Sequence, residues 1–248
     1  MKDRVAEMHD RIALAHQDQG QYAKAVTHFT TALELNREAG NADSIARALR
    51  NIANNLFWLS QSKGSDDSKS LSQALNLYFQ AVDNLEKFGV KRKTKEKTAL
   101  IDIQVEAPID ANASAAATGF DTVGEKKLIF HYIGKIYGDF REYDKAIDYF
   151  KKKLALIPEN LDLEKNVPVL LEKALLLNQI GNFYYQKGDY DSSLRFVKNS
   201  YRLSEQLRNG RGIAVNAANI GRIVLAKCQT SPIGPLREEI FNTITILQ

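Results

Sequence analysis

The chain has 248 residues, 44% of them apolar and 26% charged, a balance that excludes an intrinsically disordered protein. Its net charge of +4, from 34 basic and 30 acidic side chains, is too small to argue for nucleic acid, and its single cysteine, Cys228, excludes an intrachain disulfide and a thiolate zinc cluster. No apolar run approaches the roughly 20 residues that span a bilayer, and the charged start Met1-Lys-Asp-Arg-Val-Ala-Glu7 is unlike a secretory signal, so a cytoplasmic location without membrane contact is expected.

One pattern recurs along the chain: an isoleucine followed by a very small residue. The first instance is Ile12-Ala13; a turn at Asp18-Gln-Gly20-Gln follows, then Tyr22, Ala25, Phe29 and Ala32. The second is Ile52-Ala53, with Ala74, Tyr78 and Ala81 after it. The third is Ile133-Gly134, with a turn at Gly138-Asp-Phe-Arg141, then Tyr143, Ala146, Phe150 and, out of pattern, Lys153. The fourth is Ile180-Gly181, with a turn at Lys187-Gly-Asp189, then Tyr190, Ser193, Val197 and Ser200. The fifth, Ile220-Gly221, has Ile233 where its second small residue belongs, and a final segment with a stripe of Leu236, Ile240, Ile244 and Leu247.

Successive anchors lie 40, 81, 47 and 40 residues apart. Within a unit, the second small residue, a large residue four later and another small residue seven later occupy one helix face. Each unit therefore reads as two antiparallel helices. Small residues at matched places bring the two backbones close, and the large residue fills the adjacent gap. A glycine inside a helix costs about 1 kcal/mol relative to alanine, so glycine at three anchors implies tight packing there. Pro158, Pro168, Pro232 and Pro235 fall at helix edges and Pro108 in a loop, so none interrupts a stripe.

These residues, and most clearly Ile133-Gly134-Lys-Ile-Tyr137, Tyr143-Asp-Lys-Ala146-Ile-Asp-Tyr-Phe150 and Ile180-Gly181-Asn-Phe-Tyr184, resemble the tetratricopeptide repeat family over most of the chain. The usual repeat is 34 residues. The spacing of 40 is similar to the long repeats of Leu-Gly-Asn adaptors of the Pins type and of bacterial regulatory proteins. The expected fold is all-α, a superhelical solenoid of about five antiparallel helix pairs. Repeats 1 and 2 occupy residues 1–88, an irregular insertion residues 89–124, and repeats 3 to 5 with the terminal helix residues 125–248, as one continuous solenoid.

The insertion opens with a basic run, Lys91 to Lys97, continues with Ala99 to Glu106, which alternates partly like a strand, and ends in the small-residue segment Ala111 to Gly119. It reads either as a flexible loop replacing a lost repeat or as an insertion whose apolar strand docks on the solenoid or a partner.

Motifs for nucleotide, nucleophile or metallopeptidase chemistry are absent from the sequence, and its carboxylates show no pairing for acid–base work, so no enzyme activity and no cofactor are expected. His9 and His16 share a helix face seven apart, with His28 on the next helix, but the sequence does not require a metal there. Lys151 to Lys153 reads as the solvated end of a helix, complementing its dipole.

In a stack of helix pairs the first helices line the inner face. Residues flanking the anchors at helical spacing are Arg50, Asn51, Asn54, Phe57, His131, Lys135, Asn178, Asn182, Tyr185, Asn219 and Arg222. Amides donate and accept together and so suit a peptide backbone. Arg222 and Lys135 suit carboxylates, and Phe57 and Tyr185 offer apolar anchors. The resemblance to the adaptors implies ligand contacts at Asn54, Asn182 and Arg222. The bland alternative is that these asparagines only bridge neighbouring helices. The expected function is a non-catalytic scaffold or adaptor that binds a protein or peptide, with an acidic segment preferred and no nucleic acid. Two other readings stand beside it: the sensor or regulatory arm of a larger bacterial signalling protein, a protease or a transcription regulator, and self-association through the terminal helix.

Overall fold

The computed structural model describes residues 2–63, 67–100 and 120–230, with the backbone alone at 63 and 88–100. Among the described residues every regular element is an α-helix: α1 (Lys2–Asp18), α2 (Tyr22–Ala39), α3 (Ala42–Lys63), α4 (Ser68–Leu100), α5 (Thr122–Asp139), α6 (Tyr143–Ala155), α7 (Val167–Lys187), α8 (Tyr190–Gln206) and α9 (Gly210–Thr230). The all-α, paired-helix expectation holds for these residues. They form four pairs and a ninth helix. The partner expected for α9, including Pro232, Pro235, Ile233 and the stripe from Leu236 to Leu247, lies outside the described residues.

The expectation of irregular structure from residue 89 needs correction. Helix α4 runs on to Leu100, so the basic run 91–97 is helical. Lysine, arginine and glutamate are good helix formers, and nothing between Gly89 and Leu100 breaks the helix. The strand-like reading loses Ala99 and Leu100 to α4, and its remainder, with Pro108 and the segment 111–119, lies outside the described residues.

The chain divides into two compact units, residues 1–133 and 134–248, with the boundary inside α5. In the first, α1, α2, α3 and α4 pack each on the next. Ala13, Ala25, Phe29 and Ala32 are fully buried, as are Ala53, Ala74, Tyr78 and Ala81. Ile12, at the outer edge of the first helix, is exposed. In the second unit, α6 packs on α7, α7 on α8 and α8 on α9. Ile147, Phe150, Ile157, Leu176 and Ile180 form one core cluster. Leu194, Val197, Tyr201, Ile220 and Ile223 form another.

The small anchors work as the spacing implies. A β-carbon on Gly134 would stand 2.7 Å from the Phe150 ring. Ser193, the second small residue of its unit, donates its hydroxyl to the Gly181 carbonyl at 2.7 Å, and Ser200 donates to the Ala174 carbonyl at 2.6 Å, both buried. Serine thus keeps the close approach that alanine gives elsewhere while satisfying its own hydroxyl. Gly221 differs: among the described residues, its own helical backbone aside, no atom lies within 4 Å of its would-be β-carbon.

The turns repeat as well. The residue seven after each anchor is left-handed in three units, at Gly20 (φ 71°), Arg141 (φ 60°) and Gly188 (φ 85°). Pro168 sits in the first turn of α7, where its missing N–H costs nothing.

Candidate functional site

In the second unit, α7 and α9 carry the residues singled out on the first helices, and these converge. Asn182 donates to the Asn178 side-chain oxygen at 2.8 Å, and Asn219 donates to the same oxygen at 3.3 Å. Asn178 in turn donates to Asn216. Arg222 donates to the side-chain oxygens of Asn182 at 2.9 Å and Asn219 at 3.2 Å. Its guanidinium lies over the Tyr185 ring, 4.5 Å from the centroid, a cation–π arrangement.

The row grades from dry to wet. Asn216 is buried and continues the chain by donating to the Ser204 hydroxyl at 3.3 Å. Asn178, Asn182, Tyr185 and Asn219 are half-buried, and Arg222 is exposed. The helix spacing explains the convergence: Asn178, Asn182 and Tyr185 lie four and three apart on one face of α7, as do Asn219 and Arg222 on α9. The sequence reading does not single out Asn216 and Ser204. The available signal was a polar residue on the apolar stripe Asn216, Ile220 and Ile223.

Lys135 lies apart from this row. It borders a shallow cavity of about 350 Å³ with Gly138, Asp139, Arg141, Tyr143, Phe183 and Gln186.

The matching row in the first unit turns inward. Phe57 is buried, not presented to a ligand, and packs edge-on against Trp58 and Tyr132, each 5.3 Å away by centroids. The reason lies in its neighbours: Tyr185 has the same offset from its anchor and stays half-buried, whereas Phe57 is enclosed by these two rings. Asn51 is buried too, and its carbonyl accepts from Asn55 at 2.8 Å. Asn55, fully buried and also unforeseen, donates to the Gln17 side chain at 2.8 Å. Asn54 accepts from the Tyr78 hydroxyl at 2.5 Å. Burial pushes the Tyr78 phenol well above its ordinary value, and the neighbouring Tyr132 adds to the rise. Tyr78 and Tyr132 stack at 5.8 Å, and His131 meets Tyr132 edge-on at 5.4 Å.

Arg50 bridges α3 to the first turn of α5 through two bonds to Glu125, 2.5 Å from Nε and 3.2 Å from Nη2. Each side chain is 15% exposed, so the pair is largely withdrawn from water. Arg50 is thus a structural tie in this arrangement.

Lys153 is not solvated: its side chain is 11% exposed and pairs with Glu172 at 3.0 Å. At the position a small residue takes in the other units, its stem runs along the interface and its charge is met by the next helix. Lys151 donates to the Tyr184 hydroxyl at 2.8 Å. The three N-terminal histidines come together: His9 and His28 place their Nδ1 atoms 3.0 Å apart, and His16 stacks on His28 at 5.5 Å. Among the described residues no three histidine, cysteine, aspartate or glutamate side chains converge as a metal site would require, and no helix is long and apolar enough to cross a membrane.

Tetratricopeptide repeats are recognised by family models over residues 4–61 and 130–160. No curated protein sequence matches the chain. Among solved structures, the fold is similar to that of BtubC (BKLC) from P. vanneervenii, at 13% identity over 99% of this chain and 89% of that one, with a TM-score of 0.58. It is also similar to a putative kinesin light chain of Podosopora anserina with nearly identical TPR-like repeats, at 12% identity over 100% of this chain and 96% of that one, with a TM-score of 0.59. At these identities the likeness is one of fold. The long-repeat adaptor subtype is not distinguished by these matches.

Proposed function

We propose that the chain is a non-catalytic scaffold that binds a protein or peptide segment on the α7–α9 face of its second unit, through Asn178, Asn182, Tyr185, Asn219 and Arg222. Tetratricopeptide repeats in general mediate protein–protein interactions, which supports the class. The observation that carries the site is the hydrogen-bonded amide row ending in an exposed arginine stacked on Tyr185. An arginine held in place by two amide oxygens and a ring has already lost much of its rotamer freedom, so less is lost when a ligand binds.

The chemistry favours a segment carrying a carboxylate. Guanidinium presents donors in a fixed fork that matches a carboxylate. The half-buried asparagines offer both donors and acceptors to the adjoining peptide backbone. Arg50, Asn51, Asn54, Phe57 and His131 are left out of this proposal, because burial or internal bonds in the first unit occupy most of them.

The test is an array of extended peptides graded in acidic content, probed with wild-type protein and with Asn182→Ala and Arg222→Ala. Preferential binding of acidic peptides that weakens in both variants supports the reading. Equal retention by the variants removes this face as the site.

A further inference from the structure

The amide row of the α7–α9 face has a direction, and its two ends fix it. At the inner end the Ser204 hydroxyl donates to the Ser200 backbone carbonyl at 2.9 Å, a group that only accepts. The Ser204 oxygen is thereby left to accept, and Asn216 must turn its Nδ2 toward it. The Asn216 Oδ1 then faces Asn178, which must donate, and the Asn178 Oδ1 accepts from both Asn182 and Asn219. At the outer end stands Arg222, which only donates: its Nη2 meets the side-chain oxygens of Asn182 and Asn219. An amide turned over anywhere in between would set oxygen against oxygen or N–H against N–H.

From this chain of bonds we infer that the face is a donor surface, selective for a ligand that binds through its acceptors, and that the buried Ser204 and Asn216 are the positioning residues that keep it so. The inference rests on the α7–α9 face being the binding site. Each amide can in principle give and take, but in this row the oxygens are used internally. Asn182 and Asn219 both donate to the Asn178 Oδ1, and their own oxygens lie against the Arg222 guanidinium. What remains for a partner is the second N–H of the Asn182 and Asn219 amides, together with the Nε and Nη1 groups of Arg222. Carboxylates and backbone carbonyls fit this set. An incoming N–H finds in the row only oxygens already beside a positive charge. Ser204 and Asn216 are 1% and 2% exposed, so they act on a ligand only through Asn178.

Polarisation titration of a fluorescein-labelled alternating Glu–Ala peptide with the full chain tests both halves of the inference. Ser204→Ala frees the Asn216 amide to turn over and should weaken binding about fivefold, the effect of about one hydrogen bond, as should Asn216→Ala. Asn216→Asp, which still accepts from Asn178, should restore most of that loss. A role in stability alone predicts the reverse order, because the aspartate buries a charge. Equal affinity of Ser204→Ala and wild type, or an Asn216→Asp no better than Asn216→Ala, overturns the positioning role. A second arm uses wild-type protein alone, with peptides in which one backbone N–H at a time is replaced by an ester oxygen. Each should bind within about threefold of the parent, short of the loss of one hydrogen bond, and a larger drop at any position overturns the donor surface. If these tests fail while Arg222→Ala still weakens binding, the α7–α9 face stands without this selectivity; absence of wild-type binding removes both.

Discussion

A β-carbon placed on Gly181 would lie 2.5 Å from Cγ2 of Val197 and 3.3 Å from the Ser193 carbonyl oxygen, so α7 and α8 touch there backbone to side chain. The packing, not local propensity, holds this glycine. Gly181→Ala is expected to destabilise by roughly 1 kcal/mol, the middle of an overpacking cost of about 1–3 kcal/mol less the helix-propensity gain of about 1. Adding Val197→Ala to Gly181→Ala should recover part of that loss, because the clashing methyl is removed. Urea unfolding of the single and double variants decides it: a neutral or stabilising Gly181→Ala would mean that the helices are not locked at this crossing.

Arg50 and Glu125 stand 75 residues apart in sequence, yet form two charge-assisted hydrogen bonds in a largely buried setting. Removing one partner leaves the other charge unmet. Glu125→Gln or Arg50→Met is expected to cost about 3–5 kcal/mol, far more than an exposed ion pair would. The double substitution should cost less than the sum of the two. A thermal-melt double-mutant cycle showing additive losses would refute the coupling.

What the sequence made legible was what repeats locally. The Gly134–Phe150 and Gly181–Val197 contacts follow from an anchor, a small residue twelve later and a large residue four beyond it. The meeting of His9, His16 and His28 likewise follows from a seven-residue step on one helix and an antiparallel neighbour. Phe57 departs from the expected ligand face because Trp58 and Tyr132 enclose it, whereas Tyr185, at the same offset from its anchor, stays half-buried under Arg222, so the offset alone does not tell the two apart. Asn216 and Asn55 were missed because an amide buried on an apolar stripe looks like an interruption until its partners, Ser204, Asn178 and Gln17, are seen. The Lys153–Glu172 and Arg50–Glu125 pairs join different helices, so no local spacing announces them.

Arg141 occupies the left-handed turn position that glycine fills in the first and fourth units. A residue with a β-carbon pays about 1–2 kcal/mol there, whereas glycine's greater freedom in the unfolded chain costs about 0.5–1. Arg141→Gly should therefore raise stability by up to about 1.5 kcal/mol. A higher urea midpoint with an unchanged slope is the expected readout, and a lowered midpoint would place the importance of Arg141 in its side chain.

Asp189 caps α8 by accepting the Ser192 backbone N–H at 3.0 Å. That bond, ahead of the Ser192 hydroxyl and the nearby Lys187 and Arg195, holds the carboxyl below its ordinary value of 3.8. A depressed folded-state value means that the unfolded chain takes up the proton first. The cap's ionic contribution is therefore fully present above the ordinary value and is lost as pH falls from there through the lowered one. Asp189→Ala should cost about 1 kcal/mol at neutral pH, as for other N-caps. Asp189→Ser should keep most of the cap, since a hydroxyl also accepts from the backbone, and its stability relative to wild type should improve as the medium becomes acidic. Unfolding curves at pH 7 and pH 3 for the three proteins separate these effects; an equal gap between wild type and Asp189→Ser at both would show that the carboxylate's charge contributes nothing to the cap.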